Sequence, residues 1–154
     1  MIYNDILSQE SVDDLIEIAL FETKYFLCDF VPLYQSFPYM NEKYSHTACM
    51  RELCYVVEER YKDTYNTKGA IRTLWFNISR KDSNYTWHKH NIDTAVIYLK
   101  NTKNRGTVFK TLPTLPSDEN SMLFINRDVE HCVPDWKDED RITIAIDIEE
   151  TNDK

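Results

Sequence analysis

The sequence predicts a mainly β fold, an antiparallel jelly roll standing behind N-terminal helices. Two stretches with helical periodicity, "LSQESVDDLIEIALFE" and "SHTACMRELCYVVEERYKDTY", fall before residue 66. From residue 70 to 150 the texture changes to a succession of short β-like runs with no helical stretch between them. Strands that follow one another without intervening helices pair antiparallel, which favours a sandwich or jelly roll over a βαβ arrangement.

Each element has its own signal. Ser8 or Ser11 is placed to cap the first helix, acidic residues follow in its first turn, and Leu15, Ile16, Ala19 and Leu20 make an apolar stripe. "VPLYQSFPYM", with two prolines, reads as an extended or irregular connector. Thr47 is a candidate cap for the second helix, whose inner face comprises Leu53, Val56, Val57, Arg60 and Tyr61. "AIRTLWFNISR" alternates, with Leu74, Phe76 and Ile78 on one face and Trp75, Asn77 and Ser79 on the other. "DTAVIYLKN", "GTVFKTL", "SMLFINR" after the polar turn "PSDEN", and "HCVPDW", stopped by Pro134, are further strands. "RITIAIDIEE" closes the series with Ile142, Ile144, Ile146 and Ile148 on one face. Residues 1–154 are expected to form a single domain. Within it, 1–69 are mainly helical support and 70–150 are the jelly-roll core.

Composition narrows the function. The chain has 154 residues, 42% of them hydrophobic, which suffices for a closed core and argues against disorder. A net charge of −8 disfavours a nucleic-acid partner. The basic cluster "KNTKNRGTVFK" reads as a solvated loop rim. No apolar run is long enough for a membrane span, and "MIYNDILSQESVDD" lacks the basic start and cleavage site of a signal peptide, so a cytoplasmic location is expected. Cys28, Cys49, Cys54 and Cys132 show no CxxC pairing and are expected to be free thiols, with Cys132 in the core.

The chemistry is concentrated in "TWHKHNIDTAVIYLK" and "MLFINRDVEHCVP". Three of the four histidines lie in the β region: His88, His90 and His131. Residues at i and i+2 on a strand face the same side, so His88 and His90 can address one point, and a rolled sheet can return His131 opposite them. Imidazoles suit iron, zinc, copper and nickel, and three protein ligands leave positions open for exchangeable ones. Arg141 opens the last strand, where burial among isoleucines demands a partner, and its fork is shaped for a carboxylate. His46, on the helical side, reads as an ordinary surface or core histidine, Trp87 and Trp136 as packing residues either of which could wall a pocket, and Tyr98 alone as a core or rim aromatic.

The stretch from about residue 74 to 148 resembles the iron(II)/2-oxoglutarate-dependent oxygenases, especially the small prolyl-4-hydroxylase-like members. "WFNISRKDSNYTWHKHN" is similar to the strand and loop leading to that family's first metal ligands, and "DTAVIYLKN" to the strand after them. "MLFINRDVEHCVP" resembles the strand with the distal histidine, and "DEDRITIAIDI" the closing strand with the 2-oxoglutarate arginine. "IYNDILSQESVDDLIEIA" is similar to the family's opening strand and acidic helix.

The resemblance implies a double-stranded β-helix, the cupin-like form of the jelly roll. It implies Fe(II) on His88 and His131, with 2-oxoglutarate held by Arg141 and Tyr98 and contacted by Asn77. The implied activity uses O₂ to hydroxylate a protein side chain or small metabolite while 2-oxoglutarate is decarboxylated to succinate. Val96, Leu123, Ile125 and Ile144 would wall the site against water. One position departs: the family's motif is HxD, and here the third residue is His90. Three readings stand open. His90 is itself a ligand, which is the expected case, or Asp93 takes the missing place, or the site is degraded and binds metal weakly or not at all. Two functional alternatives also stand: a cupin-type dioxygenase that needs no 2-oxoglutarate, and a non-catalytic jelly-roll module.

Overall fold

A computed structural model of the chain describes residues 2–28, 31–79, 87–101, 106–114, 118–132 and 141–151, with the side chains of 25–33 left aside. The order of elements is β1 (Ile2–Tyr3), α1 (Gln9–Glu22), β2 (Lys24–Cys28), β3 (Val31–Gln35), α2 (Met40–Lys43) and α3 (Ala48–Tyr65). There follow β4 (Gly69–Ser79), β5 (Asp93–Lys100), β6 (Val108–Phe109), β7 (Ser121–Ile125), β8 (His131–Cys132) and β9 (Arg141–Glu150). Trp136 and the "DWKDED" segment lie outside the described residues, as does part of the basic rim.

Seven strands form one antiparallel sheet in the order β1-β7-β5-β9-β4-β3-β2, and β6 pairs with β8 in a second, smaller sheet. The pleat divides the large sheet into two chemically different faces. Leu74, Phe76 and Ile78 of β4, Ile97 and Leu99 of β5, and Ile142, Ile144, Ile146 and Ile148 of β9 share a buried cluster with residues of α1 and α3. Each such buried aliphatic side chain contributes about 1.5–3 kcal/mol. The opposite face carries Tyr98, Leu123 and Ile125, which pack with Val96, Phe109 and Val129 in a separate small cluster. Ile144 thus belongs to the helix-facing core. The reason is register: it pairs with Ile97 and Phe76, both on that side, whereas Ala145 pairs with Val96.

Helix α1 is capped by Ser8, whose hydroxyl accepts from the Ser11 amide. Glu52 of α3 accepts from the Ser8 amide and hydroxyl at 2.7 and 3.0 Å, which locks the start of α1 onto α3. Val12, Leu15 and Ala19 are buried, while Leu20, assigned to the apolar stripe from the sequence, is 55% exposed. Val12 takes its place because the buried arc runs 12-15-19, one step earlier around the helix. Thr47 caps α3 and Asn66 ends it in the left-handed region. Leu53, Val57 and Tyr61 face inward, Val56 is partly buried, and Arg60 is exposed and pairs with Asp63.

The N-terminal region supplies strands as well as helices. The "VPLYQ" connector is β3, an antiparallel partner of β2, and β1 lines the far edge of the sheet against β7. Cys49 and Cys54 are free thiols, and Cys132 is only partly buried, not a core residue. No helix among the described residues is long and apolar enough to cross a membrane.

Candidate metal centre

The three histidines of the β region converge. One ligand atom from each of His88, His90 and His131 lies within 4.8 Å of the other two, and no other such cluster of His, Cys, Asp or Glu occurs among the described residues. Ring centroids are 4.3 Å apart for His88 and His131, and 5.3 Å for each of the other two pairs. Bonds of about 2.0–2.1 Å to one metal ion need nitrogens roughly 3–3.5 Å apart, so small side-chain rotations bring all three onto a common ion. His131 is buried, His90 half-buried and His88 exposed. The cluster is therefore closed at its base and open on the His88 side, which leaves room for exchangeable ligands.

Backbone pairing explains the convergence. His88 forms an isolated antiparallel bridge with His131: each amide donates to the other's carbonyl, at 3.0 and 2.9 Å. His90 lies outside any strand and is fixed by the turn after β7, where Asp128, in the left-handed region at φ 65°, donates its amide to the His90 carbonyl at 2.8 Å. The pair is thus held by cross-strand contacts and not by the i, i+2 geometry of one continuous strand.

The imidazoles are suited to metal and not to proton. His131 Nδ1 is 2.9 Å from the Val129 carbonyl, which can only accept, so Nδ1 carries the hydrogen and Nε2 the free lone pair. Burial pulls the His131 pKa down to about 4; the Val129 bond opposes this and the neighbouring His88 and His90 reinforce it. His90 is also lowered, first by burial, with Asp147 opposing and His88 adding to the depression. At neutral pH both rings are uncharged.

Arg141, Tyr98 and Asn77, also singled out from the sequence, sit on the inner face of the large sheet. Arg141 is 1% exposed at the start of β9, and its Cζ lies 5.1 Å from the Tyr98 ring centroid. It is no surface arginine. Tyr98 is fully buried, and its hydroxyl accepts from the Thr107 amide at 3.2 Å and lies 2.7 Å from Thr107 Oγ1. Asn77 is half-buried on the Trp75 face of β4, and its Oδ1 is buried with no hydrogen-bond partner among the described residues. Trp75 itself lies 6.3 Å from the His90 ring. Trp87 is 44% exposed beneath the Lys110 ammonium and belongs to neither apolar cluster of the described residues, and His46 is exposed.

Asp93 is a different matter. Its carboxylate accepts from the Tyr61 hydroxyl at 2.9 Å and the Arg127 amide at 3.0 Å, on the α3 side of the sheet. It does not join the histidines. Sequence reasoning missed Asp147, whose Oδ1 is 3.7 Å from His90 Nδ1, and Thr107, buried against Tyr98. Asp147 had a legible signal, since it alternates with Ile146 and Ile148 and so shares a face with Arg141. Thr107 had none.

No protein-family model matches the chain, and no curated protein matches it by sequence. Solved structures do match it in shape. The viral collagen prolyl hydroxylase vCPH from Paramecium Bursaria Chlorella virus-1 superposes with a TM-score of 0.72 at 14% identity, over 96% of this chain and 87% of that one. HygX from Streptomyces hygroscopicus, solved with nickel, 2-oxoglutarate and hygromycin B bound, gives 0.74 at 12% identity, over 99% and 83%. The non-heme alpha ketoglutarate dependent carbocyclase SnoK from nogalamycin biosynthesis gives 0.75 at 9%, over 96% and 78%. These likenesses span nearly the whole chain and identify the fold as a double-stranded β-helix, whose smaller sheet contains β8, the strand that the His88 bridge joins.

Proposed function

We propose that this chain is an Fe(II)/2-oxoglutarate-dependent oxygenase that hydroxylates a protein side chain or small metabolite. The observation that carries the reading is the convergence of His88, His90 and His131 in front of an inner sheet face that holds a buried arginine. The structural neighbours named above include a prolyl hydroxylase and a protein with nickel and 2-oxoglutarate bound, which supports the same reading.

His88, His90 and His131 are the residues that would hold the metal. With Fe(II) bound, such a site supplies the oxidative chemistry, in which 2-oxoglutarate and O₂ are consumed, succinate and CO₂ leave, and a substrate C–H bond becomes C–OH. The protein's own part is orientation and exclusion of water. The Arg141 guanidinium packs against the Tyr98 ring and is the group that would hold the far carboxylate of the co-substrate. Tyr98 already accepts from the Thr107 amide; when Thr107 Oγ1 donates to it as well, its own hydrogen is released toward the same carboxylate. Asn77 presents a buried carbonyl oxygen from the neighbouring strand. Val96, Leu123 and Ile125 line the dry side.

The test is an anaerobic titration of the apo-protein with Fe(II) and then 2-oxoglutarate, following the visible charge-transfer band of the chelate. The band should appear with wild type, vanish with His131→Ala, and need far more 2-oxoglutarate with Arg141→Ala. Iron binding without the band would favour a dioxygenase that needs no co-substrate. No binding of Fe(II) or any other divalent metal would favour a non-catalytic module.

A further inference from the structure

Three neutral imidazoles bring no negative charge to a divalent cation, and the charge has to be balanced elsewhere. We propose that Asp147 does this from one step out, as the positioning residue that orients His90 and raises the donor strength of its ring. The inference rests on the three-histidine metal site proposed above.

Asp147 stands on β9 between β4 and β5, and its cross-strand partner on each side is a threonine. Thr73 Oγ1 donates to Oδ2 at 3.2 Å and Thr94 Oγ1 donates to Oδ1 at 3.1 Å. Each oxygen thus has a donor that pins the carboxylate plane, and neither donor brings charge. His90 Nδ1 lies 3.7 Å from Oδ1, just outside hydrogen-bond length and within ion-pair range. A small rotation of the ring closes it.

The backbone keeps that charge uncancelled. β4 has a register shift between Ile71 and Thr73: Ile71 pairs with Ile148, yet Thr73 pairs with Asp147. In an uninterrupted ladder Arg72 would stand opposite Asp147 and neutralise it. The bulge puts Arg72 at the exposed surface and gives Asp147 a hydroxyl in its place. Among the described residues no Lys or Arg forms an ion pair with Asp147.

With Nδ1–H directed at the carboxylate, His90 presents Nε2 to the metal, as His131 does through the Val129 carbonyl. A carboxylate behind an imidazole fixes the tautomer and strengthens the ligand. The site thus has one ring backed by a carbonyl and one by a full negative charge.

The test uses Co(II) as the probe, read by its visible d–d absorption, with wild type, Asp147→Asn, Asp147→Glu and His131→Ala. The His90 tautomer of the apo-protein is read separately by long-range ¹⁵N–¹H NMR. Asp147→Asn should weaken Co(II) binding about 10–100-fold, with Asp147→Glu recovering much of it. Apo wild type should hold His90 as the Nδ1–H form, and Asp147→Asn should populate the Nε2–H form. Unchanged Co(II) affinity in Asp147→Asn, while His131→Ala abolishes binding, would overturn the role of Asp147 and leave the metal site standing. Nε2–H as the main form in apo wild type would overturn it as well, without any variant. Failure of wild type to bind Co(II) at all would remove the metal site and this inference with it.

Discussion

Acid should reveal how strongly the fold keeps its deepest histidine neutral, and His131→Asn isolates that effect. Burial pulls His131 from 6.5 down to about 4. In the unfolded chain the ring takes up its proton near 6.5, so between the two values the unfolded state binds more protons than the folded one. Stability therefore falls as the pH drops through this window. The contribution is fully present above 6.5 and is lost on the way to 4. At about 1.4 kcal/mol per pH unit the gap corresponds to about 3 kcal/mol in all, of which about 2 kcal/mol goes between pH 7 and pH 4.5. In His131→Asn the amide Nδ2 replaces Nδ1 as donor to the Val129 carbonyl, so the local bond survives while the titration disappears. Carboxylates and His90 titrate in both proteins, and their effects largely cancel in the difference. The assay is urea unfolding at a series of pH values. Wild type should lose about 2 kcal/mol more than the variant between pH 7 and pH 4.5. Equal losses would show that burial does not hold the His131 ring neutral, and the site would then lose its preference for metal over proton.

Three further outcomes follow from particular contacts. Arg141→Met should weaken 2-oxoglutarate binding to the Fe(II)-loaded protein by about 30-fold or more, because truncating one partner of a buried charge pair costs about 2–5 kcal/mol; the charge-transfer titration measures it. Tyr61→Phe removes a 2.9 Å bond to the buried Asp93 carboxylate and should cost about 1–3 kcal/mol in urea unfolding, leaving metal affinity unchanged because Asp93 lies on the helix side of the sheet. Gly69→Ala would place a methyl 2.6 Å from the Tyr61 ring and 2.7 Å from Ile148 Cγ2; with Tyr61 only 1% exposed the ring cannot yield, and a loss of about 1–3 kcal/mol is expected in thermal unfolding.

The strands after residue 69 were legible because each reports its own environment. β4 alternates, β9 carries isoleucine at every second position, and β5 and β7 are short apolar runs bounded by polar turns. The β2–β3 hairpin was not legible: two prolines in its vicinity mask a strand whose pairing is decided by β4 at the sheet edge. Leu20 shows the matching limit in a helix, since a stripe one residue wider than the buried arc leaves its last member in water. At the site, the three histidines could be read because their spacing matches strand geometry, though the geometry that gathers them is the His88–His131 bridge. Thr107 could not be read, since nothing local in "GTVF" tells that its hydroxyl meets Tyr98.

The two aspartates near the site show why distance along the chain misleads in a pleated fold. Asp93 is three residues from His90, yet it opens β5 beside Ile148, a helix-side residue, and its carboxylate goes to Tyr61 and the Arg127 amide. Asp147 is remote in sequence, yet it pairs with Thr94, the next residue after Asp93, and so falls on the opposite face. One step along β5 thus separates a carboxylate committed to the core from a position whose cross-strand neighbour, Asp147, lies 3.7 Å from His90 Nδ1. A one-residue slip of β5 against β9 would turn β5 over and bring Asp93 onto the face that Asp147 occupies. The isoleucines of β9 forbid that slip, because it would also carry the whole core face of β5 into the cavity. The same packing that builds the core therefore decides which carboxylate His90 meets.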